Sequence, residues 1–376
     1  MAKDTGRRMT MDQEAYLSIV GSFHIKGTVS EVKPLGNGLI NDTYHVVTSE
    51  ADSPDYVLQR INDSIFKDVA MLQQNIELVT DHLRRKLEQR GTADLERRVL
   101  QLVPTSDGHT WVHDDQGRYW RMTVFIPDAV TVETVDAHYS REAGRAFGEF
   151  ELMLSDMLEP LGTIIPHFHD MEFRMEQLHE AVRRNAAGRA ASVTDLLSSI
   201  EHDAHRMCQG ERLAREGRLT QRICHCDTKV NNMMFDAQTG ECLLVIDLDT
   251  VMPSLFFSDY GDFLRSAANA TREDDPDMSH VKFREDIFRA FTEGYLSTAG
   301  QFLTPLEVSL LPYAAELFPF MQAVRFLWDY LSGDHYWKCQ YPEHNLDRAR
   351  NQFQLYKEVC AHEQMMKEFI GVRSEK

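Results

Sequence analysis

The chain has no long uncharged apolar run and only a few cysteines. Nowhere do about 18 apolar residues follow one another without a charge, so we expect no segment that spans a bilayer. The basic N-terminal residues lead into no apolar stretch, so we expect no secretory signal. The six cysteines are too dispersed for a dense disulfide framework. We therefore expect a cytoplasmic globular protein with reduced thiols.

Positive charge is also scarce. The chain has 40 lysines and arginines against 59 aspartates and glutamates, a formal net charge of −19. Such a protein repels nucleic acid at long range, so we expect a small-molecule partner and neither nucleic acid nor membrane. A length of 376 residues predicts two domains or two lobes. The oligomeric state is left open.

The first third of the chain has the pattern of a sheet. Short β-branched or aromatic segments, separated by glycine and aspartate turns, are typical of antiparallel strands. These segments are 28–34, 43–48, 56–61, 98–103, 109–113 and 118–126. Between the third and fourth, residues 66–90 carry apolar side chains at helical spacing. We expect a five-stranded, mostly antiparallel sheet with one inserted helix.

Helices are predicted to dominate after Pro127. They are expected at 141–157, twice within 171–216, at 283–299 and at 305–332. A hairpin of 230–235 and 241–246 interrupts them, with a turn at 236–240. The prediction is therefore an α+β protein with a sheet lobe at 1–126 and a larger, mainly helical lobe at 127–376.

Chemistry concentrates around this hairpin. Asp227, Lys229 and Asn232 occupy the loop that enters it, and Asp247 follows its second strand. Because a hairpin folds the chain back, Asp227 and Asp247 can face one cavity. Such a group suits phosphoryl transfer: oxygen ligands hold Mg²⁺, a carboxylate takes the proton of a hydroxyl nucleophile, and a lysine neutralises charge on the transferred group.

The loop His225-x-Asp227-x-Lys229-x-x-Asn232 resembles the catalytic loop of protein kinases. Asp247 stands where their D-F-G aspartate stands, but Leu248-Asp249 follows it. That motif resembles the aminoglycoside phosphotransferase and choline kinase superfamily instead, as does the D-x-G-D segment at 259–262. The resemblance implies a bilobal protein-kinase-like fold with ATP between the lobes.

The same resemblance implies roles for these residues. Asp227 would be the base that orients and deprotonates the acceptor hydroxyl. Lys229 would stabilise charge on the transferred phosphoryl group, and Asn232 and Asp247 would hold Mg²⁺. His225 is expected to support the loop through hydrogen bonds.

In the sheet lobe, the resemblance points to a nucleotide site. Gly36 and Gly38 lie between two predicted strands and would cover the phosphates. Adenine would bind backbone around Phe125. Gln59 falls where the nucleotide-binding lysine is expected, and an amide binds phosphate more weakly than an ammonium does. Either phosphate binding relies on Lys229 and the metal, or Arg60, which alternation points to the other face, reaches in through a bulge.

Four segments, 36–44, 56–62, 227–232 and 247–253, narrow the resemblance to bacterial N-acetylhexosamine 1-kinases, over about residues 25 to 365. These enzymes phosphorylate the anomeric hydroxyl of N-acetylglucosamine or N-acetylgalactosamine with ATP and Mg²⁺. A late segment at 325–336 then points to Arg325 and Tyr336 as sugar contacts. Read without the family, its apolar residues have core-helix spacing and Arg325–Asp329 would be a surface ion pair.

Two other functions stay open. The first is another kinase of the same superfamily that acts on choline, homoserine or an aminoglycoside. Cationic substrates need an acidic or aromatic pocket, and the negative net charge of the chain permits such a pocket. A non-catalytic protein with a kinase-like fold is the second, and the missing lysine at Gln59 is its support. Against it, Asp227, Asn232 and Asp247 are all present.

Overall fold

The chain divides into two compact units. The computed structural model describes residues 11–36 and 40–371. The units are Met1–Ala129 and Val130–Lys376, whereas the sequence suggested a division after residue 126. Within the described residues, no helix is long and apolar enough to cross a membrane.

The first unit contains one antiparallel sheet with the strand order β1-β2-β3-β5-β4. Its strands are β1 (Val29–Pro34), β2 (Asp42–Thr48), β3 (Tyr56–Arg60), β4 (Trp111–His113) and β5 (Tyr119–Val124). Its helices, in the described residues, are α1 (Met11–Val20) and α2 (Val69–Gln89). The five-stranded sheet and the helix after its third strand are confirmed. Helix α1 was not predicted.

The two faces of this sheet differ. Ile19 and Val20 at the end of α1 pack with Leu58, Trp120 and Met122 in a buried apolar cluster on one face. Because strand side chains alternate, the neighbours of these residues point to the other face. That second face carries polar side chains from the middle strands.

Residues 98–103 do not form the predicted strand. Leu102 makes a single isolated bridge to Thr123, and the Val103 N–H donates to the Met122 carbonyl. On the same edge of β5, β4 already pairs with residues 119–121. Only the last residues of β5 are left for this segment, which is too short a stretch for a continuous strand.

The second unit is mainly helical. Its helices are α3 (Ala137–Leu154), α4 (Met171–Arg184), α5 (Thr194–Met207), α6 (Gln209–Arg215), α7 (Phe257–Ala267), α8 (Glu285–Ala299), α9 (Pro305–Ser309), α10 (Leu311–Ser332), α11 (His344–Ala361) and α12 (Glu363–Ile370). The short strand β6 (Ala129–Val130) lies at the division, and β7 (Arg222–Cys224), β8 (Met233–Asp236), β9 (Cys242–Val245) and β10 (Met252–Ser254) follow. The predicted helix at 305–332 is divided in two, since Pro312 lacks the N–H that would continue α9.

The predicted hairpin is present. Strands β8 and β9 pair antiparallel, with Met233 opposite Val245. The side chain of Asp236 accepts the backbone N–H groups of Gln238 and Thr239 and so closes the turn. The hairpin returns the chain to the loop that precedes β8.

Helix α7 is pressed against α10 at Gly261. A Cβ atom at that position would lie 2.5 Å from the carbonyl oxygen of Ala314, so only glycine allows this approach. Asp259 and Asp262 sit on the same helix, on either side of the contact. The glycine of the D-x-G-D segment therefore fixes where these two carboxylates lie.

Candidate active site

The loop between β7 and β8 gathers three of the predicted site residues. The ammonium of Lys229 lies 2.7 Å from Oδ1 of Asp227. The amide nitrogen of Asn232 donates to the backbone carbonyl of Asp227 over 2.8 Å. The carboxylate, the ammonium and the amide therefore belong to one hydrogen-bonded group, although two residues separate Lys229 from Asn232.

A buried carboxylate on α7 holds the start of this loop. Asp259 has no solvent exposure and accepts the backbone N–H groups of His225 at 2.8 Å and Cys226 at 2.7 Å. Cys226 adopts a left-handed backbone with φ of 65°, which directs these consecutive N–H groups to one acceptor. Burial raises the pKa of Asp259 to about 6, although His225 and the two N–H donors act in the opposite direction.

The imidazole of His225 supports the loop through two hydrogen bonds. Its Nδ1 accepts the backbone N–H of Asp227 at 3.2 Å, which assigns the remaining proton to Nε2. Nε2 then donates to the Ile246 carbonyl at 2.8 Å. The imidazole thus links the loop to the end of β9, as a hydrogen-bonding support.

Asp247 follows β9 at the point where the hairpin returns to this loop. The N–H of Ile246 donates to the Asn232 carbonyl over 2.8 Å, so Asp247 is one residue beyond that contact. Asp247 itself has a left-handed backbone, with φ of 59° and ψ of 54°. The structure therefore brings the backbones of Asn232 and Asp247 close together.

This pair fits a magnesium ion by its donor chemistry. Because the nitrogen of the Asn232 amide is used as a donor, its oxygen is the atom left to act as a ligand, and the carboxylate of Asp247 is the other oxygen donor of the pair. No group of three or more His, Cys, Asp or Glu suited to a metal occurs in the part of the chain that the structure describes. Mg²⁺ in phosphoryl-transfer sites is held by one or two protein oxygens, water and the phosphates of the substrate.

A second carboxylate of α7 supports the other side of the loop. Asp262 accepts the N–H of Thr228 at 3.2 Å, and the Arg265 Nε donates to its other oxygen at 3.0 Å. Burial raises the pKa of Asp262, but Arg265 and Lys229 outweigh burial, so the net shift is downward. Burial lowers the pKa of Lys229, whereas Asp227 and Asp262 raise it by more.

The sequence assigned no role to Asp262 or Arg265. A signal was available: 259, 262 and 265 are three residues apart, so the three side chains share one face of a helix. The helix α7 itself was not predicted. Without it, the spacing had no structural meaning.

Arg325, from the last third of α10, adjoins this network. Its guanidinium carbon lies 5.5 Å from the ring centre of Phe168 and 5.3 Å from that of Trp337. It also lies in the electrostatic field of Arg265 and Asp262. The ring of Tyr336 packs on the same tryptophan, with its centre 4.5 Å from that of Trp337, so Arg325 and Tyr336 both adjoin Trp337.

A second guanidinium approaches the same aromatic residue. Arg174 of α4 donates to the Phe168 carbonyl at 2.7 Å. Burial lowers the pKa of Arg174 to about 9, with the positive charge of Arg325 acting in the same direction. Burial and Arg265 likewise lower the pKa of Arg325. This part of the unit therefore concentrates positive charge inside a strongly acidic protein.

Asp329 is not the exposed partner of Arg325. It is fully buried, and its oxygens accept the backbone N–H groups of His335, Tyr336 and Trp337 at 2.9 to 3.0 Å. The surface ion pair considered from the sequence is therefore wrong. Asp329 fixes the turn that follows α10 and with it the position of Tyr336.

The predicted nucleotide residues lie in the first unit. Gly36 has a φ of 68° and ends the first described range, whereas Gly38 lies outside the described residues. The ring of Phe125 stacks on His45, with centres 4.4 Å apart, and its N–H donates to the Asp55 carbonyl. That N–H is engaged within the sheet.

Gln59 occupies the second face of the sheet. Its amide nitrogen donates to the Thr43 hydroxyl at 3.2 Å, and its amide oxygen accepts from Nε of Arg121 at 2.9 Å. Arg60 points to the opposite face and forms an ion pair with Asp42. The register of β3 with both neighbours is continuous, so the bulge that would turn Arg60 inward is absent from these paired strands.

Comparisons with known proteins agree with this arrangement. The phosphotransferase enzyme family matches residues 31–300. An aminoglycoside phosphotransferase from Alicyclobacillus acidocaldarius superposes with a TM-score of 0.62 and 12% identity, over 94% of this chain and 96% of that one. A microcompartment-associated aminopropanol kinase gives 0.59 and 18%, over 95% and 98%.

A third solved structure, spectinomycin phosphotransferase APH(9)-Ia in complex with ADP and spectinomycin, gives a TM-score of 0.55 and 13% identity, over 95% of this chain and all of that one. At these identities the likeness concerns the fold. The predicted α+β class, with a small antiparallel sheet and a larger helical part of the protein-kinase-like type, is confirmed.

Proposed function

Since the chain belongs to the phosphotransferase enzyme family, we propose that it is an ATP-dependent kinase that phosphorylates the anomeric hydroxyl of N-acetylhexosamines. The family accounts for phosphoryl transfer to a small molecule. The choice of acceptor is the further step, and it depends on what surrounds Asp227 in the second unit.

The observation that carries this choice is the position of Arg325 and Tyr336. Both residues adjoin Trp337, and Asp262, whose charge acts on Arg325, also accepts the N–H of Thr228 in the loop that carries Asp227. A guanidinium offers only donors, and the ring and acetyl oxygens of an N-acetylhexosamine are acceptors. Trp337 and Phe168 add the aromatic surfaces on which sugar rings pack.

The same cluster disfavours a cationic acceptor. Arg174 and Arg325 both adjoin Phe168, and each of their pKa values is lowered. A quaternary ammonium or a polyamine would add a like charge in a partly buried region, where Coulomb repulsion is strong. This supports an uncharged, oxygen-rich acceptor over choline or an aminoglycoside.

In the proposed reaction, Asp227 accepts the proton of the anomeric hydroxyl while that oxygen bonds to the γ-phosphorus of ATP. The bond between this phosphorus and the bridging oxygen breaks, and ADP leaves. Lys229 contacts Asp227 and would offset charge on the transferred group. Magnesium, held by Asn232 and Asp247, would neutralise charge on the phosphates.

The residues that we propose to bind the nucleotide lie in the first unit. Gly36 and Gly38 would bring backbone close to the phosphates, with Gln59 beneath them and the backbone at Phe125 next to adenine. Since the N–H of Phe125 is already used by Asp55, its carbonyl is the group that would accept from the adenine amine.

A panel of acceptors tests the choice. N-acetylglucosamine, N-acetylgalactosamine, glucosamine, choline and homoserine are each offered with Mg-ATP, and ADP release is followed by a coupled assay. We expect turnover with the two N-acetylated sugars and little with the amines. Turnover on choline without turnover on either sugar would contradict the sugar proposal, and ATP binding without turnover on any acceptor would favour the non-catalytic alternative.

A further inference from the structure

A cavity of about 320 Å³ lies within the second unit. Its walls come from the segment that leads into α4, from α6, from Gln221 just before β7 and from β10. The loop of Asp227 follows β7, so Gln221 and that loop lie at opposite ends of the strand. None of the residues assigned above to the base, the metal or the sugar lines this cavity. Its size is that of a small-molecule pocket.

Two side chains of the lining have a polar atom without a partner. Oε2 of Glu211 and Nδ1 of His169 are shielded from solvent, and neither has a hydrogen-bond partner in the described part of the chain. The other oxygen of Glu211 accepts the Met171 N–H at 2.7 Å, which fixes the carboxylate at one end. Buried polar groups are nearly always paired, because an unpaired one has lost its hydrogen bonds with water. A ligand in the cavity would supply the missing partners.

The charges around Glu211 favour a cation. Burial raises the pKa of Glu211 to about 7, and the negative charges of Asp170 and Glu172 act in the same direction. Arg215 also lines the cavity, but both carboxylate oxygens of Glu172 accept from its guanidinium. The positive charge of Arg215 is therefore already engaged by a carboxylate other than Glu211.

The rest of the lining suits an apolar or ring-shaped body. Ile165, Phe168, Met252 and Pro253 contribute apolar surface, and the ring of Phe168 stacks on that of His169 with centres 4.4 Å apart. Burial lowers the pKa of His169 to about 3, so its imidazole is neutral and has one nitrogen that accepts a hydrogen bond. An ammonium group has three N–H donors and can serve a carboxylate and an imidazole together.

We propose that this cavity binds a small molecule that carries a primary ammonium group on an apolar or ring-shaped body, with Glu211 as the anchoring carboxylate. This goes beyond the proposed function, because the proposed sugar contacts, Arg325 and Tyr336, do not line the cavity. The two sites also differ in charge, with guanidiniums beside the sugar contacts and carboxylates around the cavity. Phe168 adjoins both, since its ring centre lies 5.5 Å from the guanidinium carbon of Arg325.

Calorimetric titration of the full chain with benzylamine and with benzyl alcohol tests this assignment. The two probes share one ring, and only the amine is a cation at neutral pH. We expect benzylamine to bind at least tenfold more tightly than benzyl alcohol. Glu211→Gln keeps an oxygen for the Met171 N–H and removes the charge, so it should weaken benzylamine at least tenfold and leave benzyl alcohol unchanged. Glu176→Gln, which changes an exposed carboxylate of α4, is the matched control and should change neither affinity.

Two further variants locate the bound amine. Ala214→Leu narrows the cavity and leaves Glu211 in place, so it should also weaken benzylamine at least tenfold. Asp227→Asn should leave benzylamine affinity unchanged, because benzylamine has no hydroxyl to offer the candidate base and the cavity lies elsewhere.

Three results would overturn the proposal. The first is unmodified protein that binds benzylamine no better than benzyl alcohol, or not at all. The second is benzylamine affinity that falls in Asp227→Asn and not in Glu211→Gln, which would place the amine in the candidate active site. If Glu211→Gln does not fold, Ala214→Leu carries the test, and unchanged benzylamine affinity in that variant is the third.

Discussion

The loop around Asp227 and the sheet face around Arg121 are assembled from different parts of the sequence. In the loop and in helix α7 beside it, charges occur in close pairs of opposite sign, Asp227 with Lys229 and Asp262 with Arg265. On the sheet face, one guanidinium is oriented by two amide oxygens. The pairs in the first arrangement join residues that are close in the chain, whereas the contact on the sheet face joins residues that are 62 positions apart. Contacts of the second kind depend on how the strands pair and cannot be read from a local motif.

The largest effect is expected at the charged loop. Asp227→Asn keeps the shape of the side chain but removes the base, so we expect kcat to fall by at least ~10²-fold. ATP affinity, measured by calorimetry, should be almost unchanged because the residues proposed to bind the nucleotide lie in the first unit. Steady-state kinetics with an N-acetylhexosamine give the rate.

Asp286→Asn is the matched control, because Asp286 is an exposed carboxylate of the same unit that pairs with Arg284. Its kcat should equal that of the unmodified protein. Near-normal turnover of Asp227→Asn would show that Asp227 is not the base that deprotonates the acceptor hydroxyl.

A smaller effect is expected at Asp259, the buried carboxylate that accepts two backbone N–H groups of the loop. In Asp259→Asn one of the two acceptor oxygens becomes an NH₂ group that faces a backbone N–H of His225 or Cys226. A buried donor left without a partner costs about 1–3 kcal/mol of unfolding free energy. Chemical denaturation measures this loss, and displacement of the loop should lower kcat as well. Unchanged stability together with unchanged kcat would show that Asp259 does not hold the loop.

The smallest effect is expected when Gln59 on the sheet face is replaced by an acidic residue. Gln59→Glu puts a carboxylate beside Arg121, and the Thr43 hydroxyl can turn to donate to it. The added negative charge lies at a residue proposed to bind the nucleotide phosphates, so we expect ATP affinity to fall about tenfold or less, up to 1.4 kcal/mol. Thermal stability should stay the same or rise.

Gln116→Glu, in an exposed turn of the same unit, adds the same charge away from the site and should leave ATP affinity unchanged. Equal ATP affinity in Gln59→Glu and the unmodified protein would mean that Gln59 does not lie near the nucleotide phosphates.

The same contrast explains what the sequence predicted. The hairpin after Asp227 and the group of Asp227, Lys229 and Asn232 depend on residues close in the chain, and the structure brings these together. Local patterns also predicted the five-stranded sheet. The pairing of Arg121 with Gln59 depends on the register of β3 and β5, which no local pattern reveals.

The errors have the same origin. Residues 98–103 have strand-like composition, but β4 competes for the same edge of β5. Arg325 and Asp329 have the spacing of a surface pair, but Asp329 accepts three N–H groups from the turn beyond α10. In both cases tertiary packing decided between two structures that the local sequence allows equally.

Phosphorus NMR of the product tests the central claim most directly. Unmodified protein is incubated with N-acetylgalactosamine and Mg-ATP, and the spectrum is recorded after the nucleotide has been removed. The account predicts one new phosphate ester whose phosphorus couples to the anomeric proton. An ester on any other hydroxyl, or no sugar phosphate beside a cationic acceptor that is phosphorylated, would contradict it.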